Sequence, residues 1–204
     1  MRENVNQLIT PTSTEEEVLF TNLRAACWED FFGQDKIKKA LKIGTKAAKK
    51  RHEALEHTLF YGPPGLGKTT LAHLIAKEMS SNIRVSSGTV LTKAGDLAAI
   101  LTSLEENDIF FIDEIHRFSK SQQDSLLGAV EKGVVTLIGA TTENPSFEVI
   151  RPLLSRCQTY ILQPLSKNDL ETLLQRAITE DVELQQRNIE LRETDALLHF
   201  SGGD

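Results

Sequence analysis

The sequence predicts an α/β fold, a parallel sheet covered by helices, and three observations carry that expectation. A glycine-rich stretch, Gly62-Pro63-Pro64-Gly65-Leu66-Gly67-Lys68-Thr69-Thr70, lies between an apolar run and a helical pattern. A second apolar run, Ile109–Ile112, ends abruptly in Asp113-Glu114. Between and beyond these two features, short apolar runs alternate with stretches of helical period, the rhythm of strands joined by helical crossovers.

The 204 residues suffice for one α/β domain and part of another, and 40% hydrophobic with 25% charged residues is ordinary for a globular chain. No apolar run is long enough to cross a bilayer, and Met1-Arg2-Glu3-Asn4 lacks a hydrophobic signal core. The two cysteines, Cys27 and Cys157, do not have metal-ligand spacing, so the expected setting is reduced, cytoplasmic and without a membrane partner. A net charge of −6 does not itself point to nucleic acid, although a local basic face could supply that contact.

Residues 1–20 read as a polar arm, residues 21–164 as the main domain and residues 165–204 as an incomplete, helical second domain. In the arm, Thr10 to Glu17 is polar and turn-prone. Trp28 and Phe31 are expected to pack on the core. Asp35 to Arg51 reads as a helix, with Lys38, Lys42, Lys46 and Lys49 at roughly helical spacing. That basic stripe is either a solvated face or a contact for phosphates.

Thr58 to Tyr61 reads as a strand and Leu71, Leu74, Ile75 and Met79 as the apolar face of a helix. The stretch between them fits G-x-x-x-x-G-K-[ST], whose glycines let backbone approach phosphates while free N–H groups at the helix start point at the anion. Gly62, Pro63, Pro64, Gly65, Leu66 and Gly67 form the cradle. Lys68 would reach the β- and γ-phosphates, the Thr69 hydroxyl would bind Mg²⁺, and Thr70 would sit at the α-phosphate end. The plainer alternative is a glycine turn with a chance lysine, and the strand and helix on either side argue against it.

Ile83 to Val85 reads as a short strand and Gly95 to Leu101 as a helix. Ile109-Phe110-Phe111-Ile112 fits a strand buried on both faces. Asp113 at its tip would hold Mg²⁺ largely through the ion's water shell, and Glu114 would orient and deprotonate an attacking water. His116 reads as structural. A helix from Ser119 to Val130 leads to a strand from Val134 to Ala140, ending in Thr141-Thr142-Glu143-Asn144-Pro145. A hydroxyl there either meets the γ-phosphate or its attacking water, or serves a simple turn. Ile150 to Cys157 follows, and in a helix ending with Arg156 that arginine could be a partner for the helix dipole. Tyr160 to Leu162 is a last strand, Ser166 with Asp169 marks a helix start, and Asp195 to Phe200 opens another helix.

Together, Gly62–Thr70, Asp113-Glu114, Thr141-Thr142 and Ser155-Arg156-Cys157 resemble the AAA+ ATPases of the clamp-loader clade. Residues from about 15 to 117 resemble RuvB, the Holliday-junction branch-migration ATPase, through Asp35–Leu41, Tyr61–Ala72, Lys93–Thr102 and Phe111–Arg117. Residues from about 114 to 204 resemble RarA, also called MgsA, the replication-associated recombination ATPase. That match runs through Ile115–Glu131, Gly139–Phe147 and Arg151–Cys157, so the chain reads as a mosaic. The resemblance implies an AAA+ core with a truncated helical lid, ATP and Mg²⁺ as cofactors, and branched DNA, a Holliday junction or a fork, as partner. It implies that Leu23 and Arg24 contact the adenine end, that Thr142 is sensor 1, and that Arg156 is an arginine finger acting on ATP held by the neighbouring subunit of a homo-oligomeric ring. RuvB-like proteins dock RuvA through a hairpin before the sensor strand. Here a single helix and a turn are expected between Arg117 and Thr136, so RuvA is a possible partner but one without its docking hairpin. The resemblance places a sensor 2 arginine after a Gly-Asp like Gly203-Asp204, so the lid is expected to lack it. Two activities follow: DNA-coupled ATP hydrolysis, either RuvB-like or RarA-like at stalled forks, or ATP binding with little turnover. A clamp-loader subunit is a third, but no stretch resembles a clamp-binding peptide.

Overall fold

The structure, a computed structural model, describes residues 25–91, 94–131, 133, 135–187, 189, 191, 193–195 and 197. The 1–20 arm, Leu23, Arg24, Gly203-Asp204 and most of the helix expected from Asp195 to Phe200 lie outside the described residues. The chain divides into two compact units, at Phe31/Phe32. In the first, Trp28 and Phe31 are buried and the Cys27 thiol donates to Asp30 Oδ2 at 3.0 Å.

The second unit is built on five strands, all parallel: β1 (Thr58–Tyr61), β2 (Ile83–Ser87), β3 (Ile109–Asp113), β4 (Thr136–Thr141) and β5 (Gln158–Ile161). Their order across the sheet is β2-β3-β4-β1-β5. The inner strands are the apolar ones. Every residue of β4 is buried, as are Ile109 to Ile112, whereas the edge strands β2 and β5 are largely exposed or half-buried. A parallel sheet needs cover on both faces, and the residues alternate accordingly. Leu59, Phe110, Ile112 and Leu137 enter one cluster with Leu97, Leu104, Leu126 and Val130 from α3 (Ala94–Ser103), α4 (Lys120–Glu131) and the loop after α3. On the alternate positions Phe60, Phe111 and Ile138 are fully buried, and α2 (Lys68–Met79) packs against β3 and β4. Truncating a ring such as Phe111 to alanine would cost about 3–5 kcal/mol.

The helix α1 (Asp35–Arg51) packs on α2 and corrects one expectation. Its buried line is Ile37, Leu41, Thr45 and Ala48, because Thr45 returns its hydroxyl to the Leu41 carbonyl at 2.9 Å and so enters the core satisfied. Of the expected stripe Lys46 and Lys49 are exposed, whereas Lys38 and Lys42 are half-buried, and the exposed side also takes in Lys36, Lys39, Ile43 and Lys50. Lys38 is half-buried and paired with Asp35 at 2.9 Å, and Lys49 donates to the Glu78 carbonyl at 2.6 Å.

After β5, α7 (Lys167–Glu180) starts at Ser166 with a reciprocal capping box to Asp169, as its sequence indicates. The Ser166 hydroxyl and N–H both donate to the Asp169 carboxylate, which holds it below the usual carboxylate range. No residue of α7 or of α8 (Val182–Gln186) is buried. Among the described residues, no helix is long and apolar enough to cross a membrane.

At the N-terminal edge of the sheet, His57 joins α4 to β4. Its Nδ1 accepts from the Leu137 N–H at 3.0 Å, so the proton sits on Nε2, which donates to the Val130 carbonyl at 3.2 Å. Burial lowers the pKa of His57 below its ordinary 6.5, with the Val130 bond opposing. The unfolded chain therefore binds more protons in the window just under 6.5. The stability due to the neutral ring is complete above pH 6.5 and is lost as pH falls through that window. Urea unfolding at pH 7.5 and 5.5 is expected to show a larger acid loss in wild type than in His57→Ala, whose stability is lower at both.

Candidate active site

The parallel register brings the C-terminal tips of four strands together. Tyr61 pairs with Thr141, Ser87 with Asp113 and Ile112 with Gly139. The hydrogen bonding continues past the tips: the Gly62 N–H donates to the Thr141 carbonyl at 3.2 Å and the Gly88 N–H to the Asp113 carbonyl at 2.9 Å. From β1 the chain crosses to β2 at the far edge, works back through β3 to β4 and then steps over β1 to β5, so the direction of winding reverses beside β1, and such a switch point is where open α/β sheets bind ligands.

The loop Gly62 to Gly67 rises from β1 and ends on α2. Gly65 and Gly67 take left-handed φ values of 76° and 77°, which a side chain would strain. Gly67 caps α2, whose first residues are Lys68, Thr69 and Thr70. Lys68 is buried, and its Nζ donates to the Gly62 carbonyl at 2.8 Å and the Pro63 carbonyl at 2.6 Å. Burial pulls the ammonium below its ordinary value, while the Asp113 and then the Glu114 carboxylates oppose that shift. Thr69 and Thr70 are half-buried. Backbone N–H groups at a helix start, one ammonium, a hydroxyl and a carboxylate make a donor set that fits a polyphosphate and a hard divalent cation.

Asp113 closes β3 and accepts the Glu114 N–H at 3.0 Å. Glu114 itself has φ 48° and ψ 47°, a left-handed conformation that a non-glycine residue adopts at a cost of about 1–3 kcal/mol. A 3-10 turn, Ile115–Arg117, follows, and Arg117 Nε meets Glu114 Oε2 at 2.6 Å. Gly88 lies under this turn. A Cβ there would stand 2.5 Å from the Glu114 carbonyl oxygen and 2.9 Å from Arg117 Cβ. Gly88→Ala is therefore expected to displace the Glu114 turn and to lower stability by about 1–3 kcal/mol, as read by urea unfolding.

Thr142 follows β4 and is half-buried, and its hydroxyl has no hydrogen-bond partner among the described residues. Its neighbour Thr141 is occupied: Oγ1 lies 3.1 Å from His116 Nδ1 and also accepts the Glu143 N–H at 3.0 Å. His116 thus ties the Glu114 turn to the β4 tip. The helix expected to end with Arg156 is the four-residue α6 (Arg151–Leu154), which stops two residues before it, and α5 (Pro145–Glu148) precedes it. Pro145 and Pro152 each start a helix that buried Val149 and Leu153 then pin to the core.

Arg156 stands apart from the strand tips. It precedes β5, whose first residue Gln158 pairs with Thr58 at the start of β1, whereas the glycine loop follows the end of β1. A four-residue strand, about 13 Å, separates the two levels, more than an arginine side chain spans. The guanidinium donates to the Pro152 carbonyl and to Glu131 Oε1, both at 2.7 Å. Burial pushes the Cys157 thiol up to about 11, so it stays protonated near neutral pH. Both cysteines are free, and no His/Cys/Asp/Glu cluster that could hold a metal occurs among the described residues.

Sequence patterns did not reveal Arg117 as the partner of Glu114, Gly88 beneath that turn, or the buried Gln122 and Gln123 of α4. Their only local signal is a pair of glutamines on a helix whose apolar face they share.

Comparison with known families is consistent with this geometry. The family described as Holliday junction DNA helicase RuvB P-loop domain matches residues 23–149. The Holliday junction branch migration complex subunit RuvB of Aliarcobacter butzleri (strain RM4018) is 55% identical over 123 residues, 60% of this chain and 36% of that protein. The subunit of the same name from Campylobacter fetus subsp. fetus (strain 82-40) is 58% identical over 123 residues, with the same coverage. A solved structure of the Thermotoga maritima RuvB Holliday junction branch migration motor superposes with a TM-score of 0.72 at 47% identity, covering 77% of this chain and 54% of that one. The chain thus spans about a third of the length of the curated relatives it matches.

Proposed function

The chain belongs to the family of RuvB P-loop domains, and from that premise we propose that it is the ATP-hydrolysing core of an oligomeric AAA+ motor acting on branched DNA, as in Holliday-junction branch migration. The observation that carries this is the convergence, at one sheet edge, of a glycine loop with Lys68, a strand-tip Asp113-Glu114 and a free Thr142 hydroxyl.

In this reading the loop Gly62 to Gly67 and the first N–H groups of α2 hold the phosphates, with Thr70 at the α-phosphate end. Lys68 exchanges its loop carbonyls for the β- and γ-phosphates. Thr69 and Asp113 would hold Mg²⁺, which supplies neutralisation of phosphate charge. Glu114 takes the proton of the attacking water, and Thr142 orients that water or the γ-phosphate. Leu23 and Arg24 would meet the adenine end. Arg156 serves the nucleotide of a neighbouring copy, a role supported by its place at the opposite edge of the sheet. In the described residues between Arg117 and Thr136, α4 is the one regular element, which supports a motor that does not dock RuvA through a hairpin. A cytoplasmic location fits this role.

The DNA contact has a candidate face. The helix α1 carries seven lysines and one arginine against one aspartate in a chain of net charge −6. Lys36, Lys39, Lys46 and Lys50 line its exposed side over about 21 Å of helix axis. A second reading, ATP binding with little turnover, is favoured by α7, which buries no residue against the core. The deciding experiment is the ATPase rate with and without a four-way DNA junction across a salt series. A junction-stimulated rate is expected. Changing the four lysines to glutamate is expected to leave DNA-free hydrolysis unchanged and to flatten the log–log salt slope of junction binding by about 3–4. Nucleotide binding with hydrolysis at background, with or without DNA, would instead establish the second reading.

A further inference from the structure

Gln123 of α4 is 1% exposed and commits its whole amide to three backbone groups. Its Nε2 donates to the Phe118 carbonyl at 3.1 Å and to the Glu148 carbonyl at 3.0 Å, and its Oε1 accepts the Ile150 N–H at 2.9 Å. Phe118 closes the turn that carries Glu114 and Arg117. Glu148 and Ile150 belong to the strap of residues 142–157, which runs from Thr142 at the C-terminal edge of the sheet to Arg156 at the N-terminal edge.

The strap has little regular structure of its own, two helices of four residues each. Val149 and Leu153 bury their side chains in the core, but apolar contact is not directional and does not by itself fix backbone orientation. A buried amide with three partners does fix it, because each misplaced group would be left without a hydrogen bond in a dry interior. We infer that Gln123 is a positioning residue that sets where Arg156 stands, by fastening the middle of the strap to the turn behind Glu114. The inference rests on the role in a neighbouring copy proposed above for Arg156. It also gives the strap a route by which movement of the Glu114 turn reaches the finger within one chain.

The adjacent glutamine supplies an internal control. Gln122 is also buried on α4, but its amide donates to the Leu91 carbonyl at 2.7 Å and accepts from Ser119, with no bond to the strap. Loss of a buried amide is common to Gln122→Leu and Gln123→Leu, whereas displacement of the strap belongs to Gln123→Leu alone.

The test uses the full chain in mixed assemblies. Gln123→Leu is expected to bind a fluorescent ATP analogue with the wild-type Kd and to lower kcat by about 10- to 100-fold, the cost of a misplacement near one ångström. Excess Glu114→Gln subunits, which do not hydrolyse but present an intact Arg156, are expected to restore turnover at the Gln123→Leu sites. The same excess is expected to leave any loss in Gln122→Leu unrescued. If Gln123→Leu unfolds below the assay temperature, Gln123→Met, which keeps the side-chain length, carries the same expectations. Failure of Glu114→Gln to rescue Gln123→Leu, or equal rescue of Gln122→Leu, overturns the inference. Arg156→Ala mixed with Glu114→Gln separates the two levels. Absence of rescue there removes the role of Arg156 in a neighbouring copy, whereas rescue there without rescue of Gln123→Leu removes only the positioning role.

Discussion

Arg156→Ala is expected to lower ATP turnover of the assembled protein by about 10³- to 10⁵-fold while nucleotide affinity stays near wild type. An arginine finger acts on charge that develops as the phosphoryl group transfers, so its removal leaves ground-state binding largely intact. The position of Arg156 makes this separable from stability. Its side chain is 40% exposed and its partner Glu131 is 52% exposed. Such surface pairs contribute about 0–1 kcal/mol, so urea unfolding of the variant is expected to shift little. Steady-state hydrolysis, analogue binding and unfolding on the same preparation check all three points. A parallel loss of binding and turnover would mean that Arg156 supports the architecture of the site and not the chemistry.

Glu114→Gln is expected to cost about 10²- to 10⁴-fold in kcat, the usual contribution of a positioned general base, with binding retained. The amide keeps the size of the side chain and can still meet Arg117, but it cannot accept the water proton. The cradle is untouched, since Lys68 is held by Gly62 and Pro63 and the Asp113 carboxylate remains beside it. Retained turnover within tenfold of wild type would move the base elsewhere. The left-handed backbone of Glu114 makes a further variant informative. Glu114→Gly removes the side chain and the strain together, and is expected to be as inactive as Glu114→Gln but no less stable.

Much of the fold is legible because its signals are local. The run Ile109 to Ile112 becomes the doubly covered strand it resembles, and the Ser166–Asp169 pair caps α7. The parallel sheet follows from alternation, and its order then brings Gly62, Asp113 and Thr141 to one edge although they are far apart in sequence. What was not legible depends on partners distant along the chain. Lysine spacing on α1 put Lys38 and Lys42 on the exposed line with Lys46 and Lys49, but the first two are half-buried because the buried line runs through Thr45, polar by type yet bonded to its own helix. Gln123 carries no local sign that its amide binds a segment 25 residues later. Gly88 is an ordinary glycine until the Glu114 carbonyl is found against it.

The hydrogen bonds from Lys68 to the Gly62 and Pro63 carbonyls bear on how any substitution of that lysine is to be interpreted. The ammonium, on the first residue of α2, staples the loop that precedes it, and binding a phosphate there would trade those two bonds for new ones. The measured affinity is then a difference between two sets of charge-assisted bonds, smaller than either. Lys68→Ala would remove the staple along with the charge, so part of any weakened binding would reflect a slackened loop. Lys68→Arg keeps the charge but replaces a compact ammonium with a planar fork. Comparing the two variants divides the effect into loop order and direct attraction, two quantities that a single alanine substitution merges.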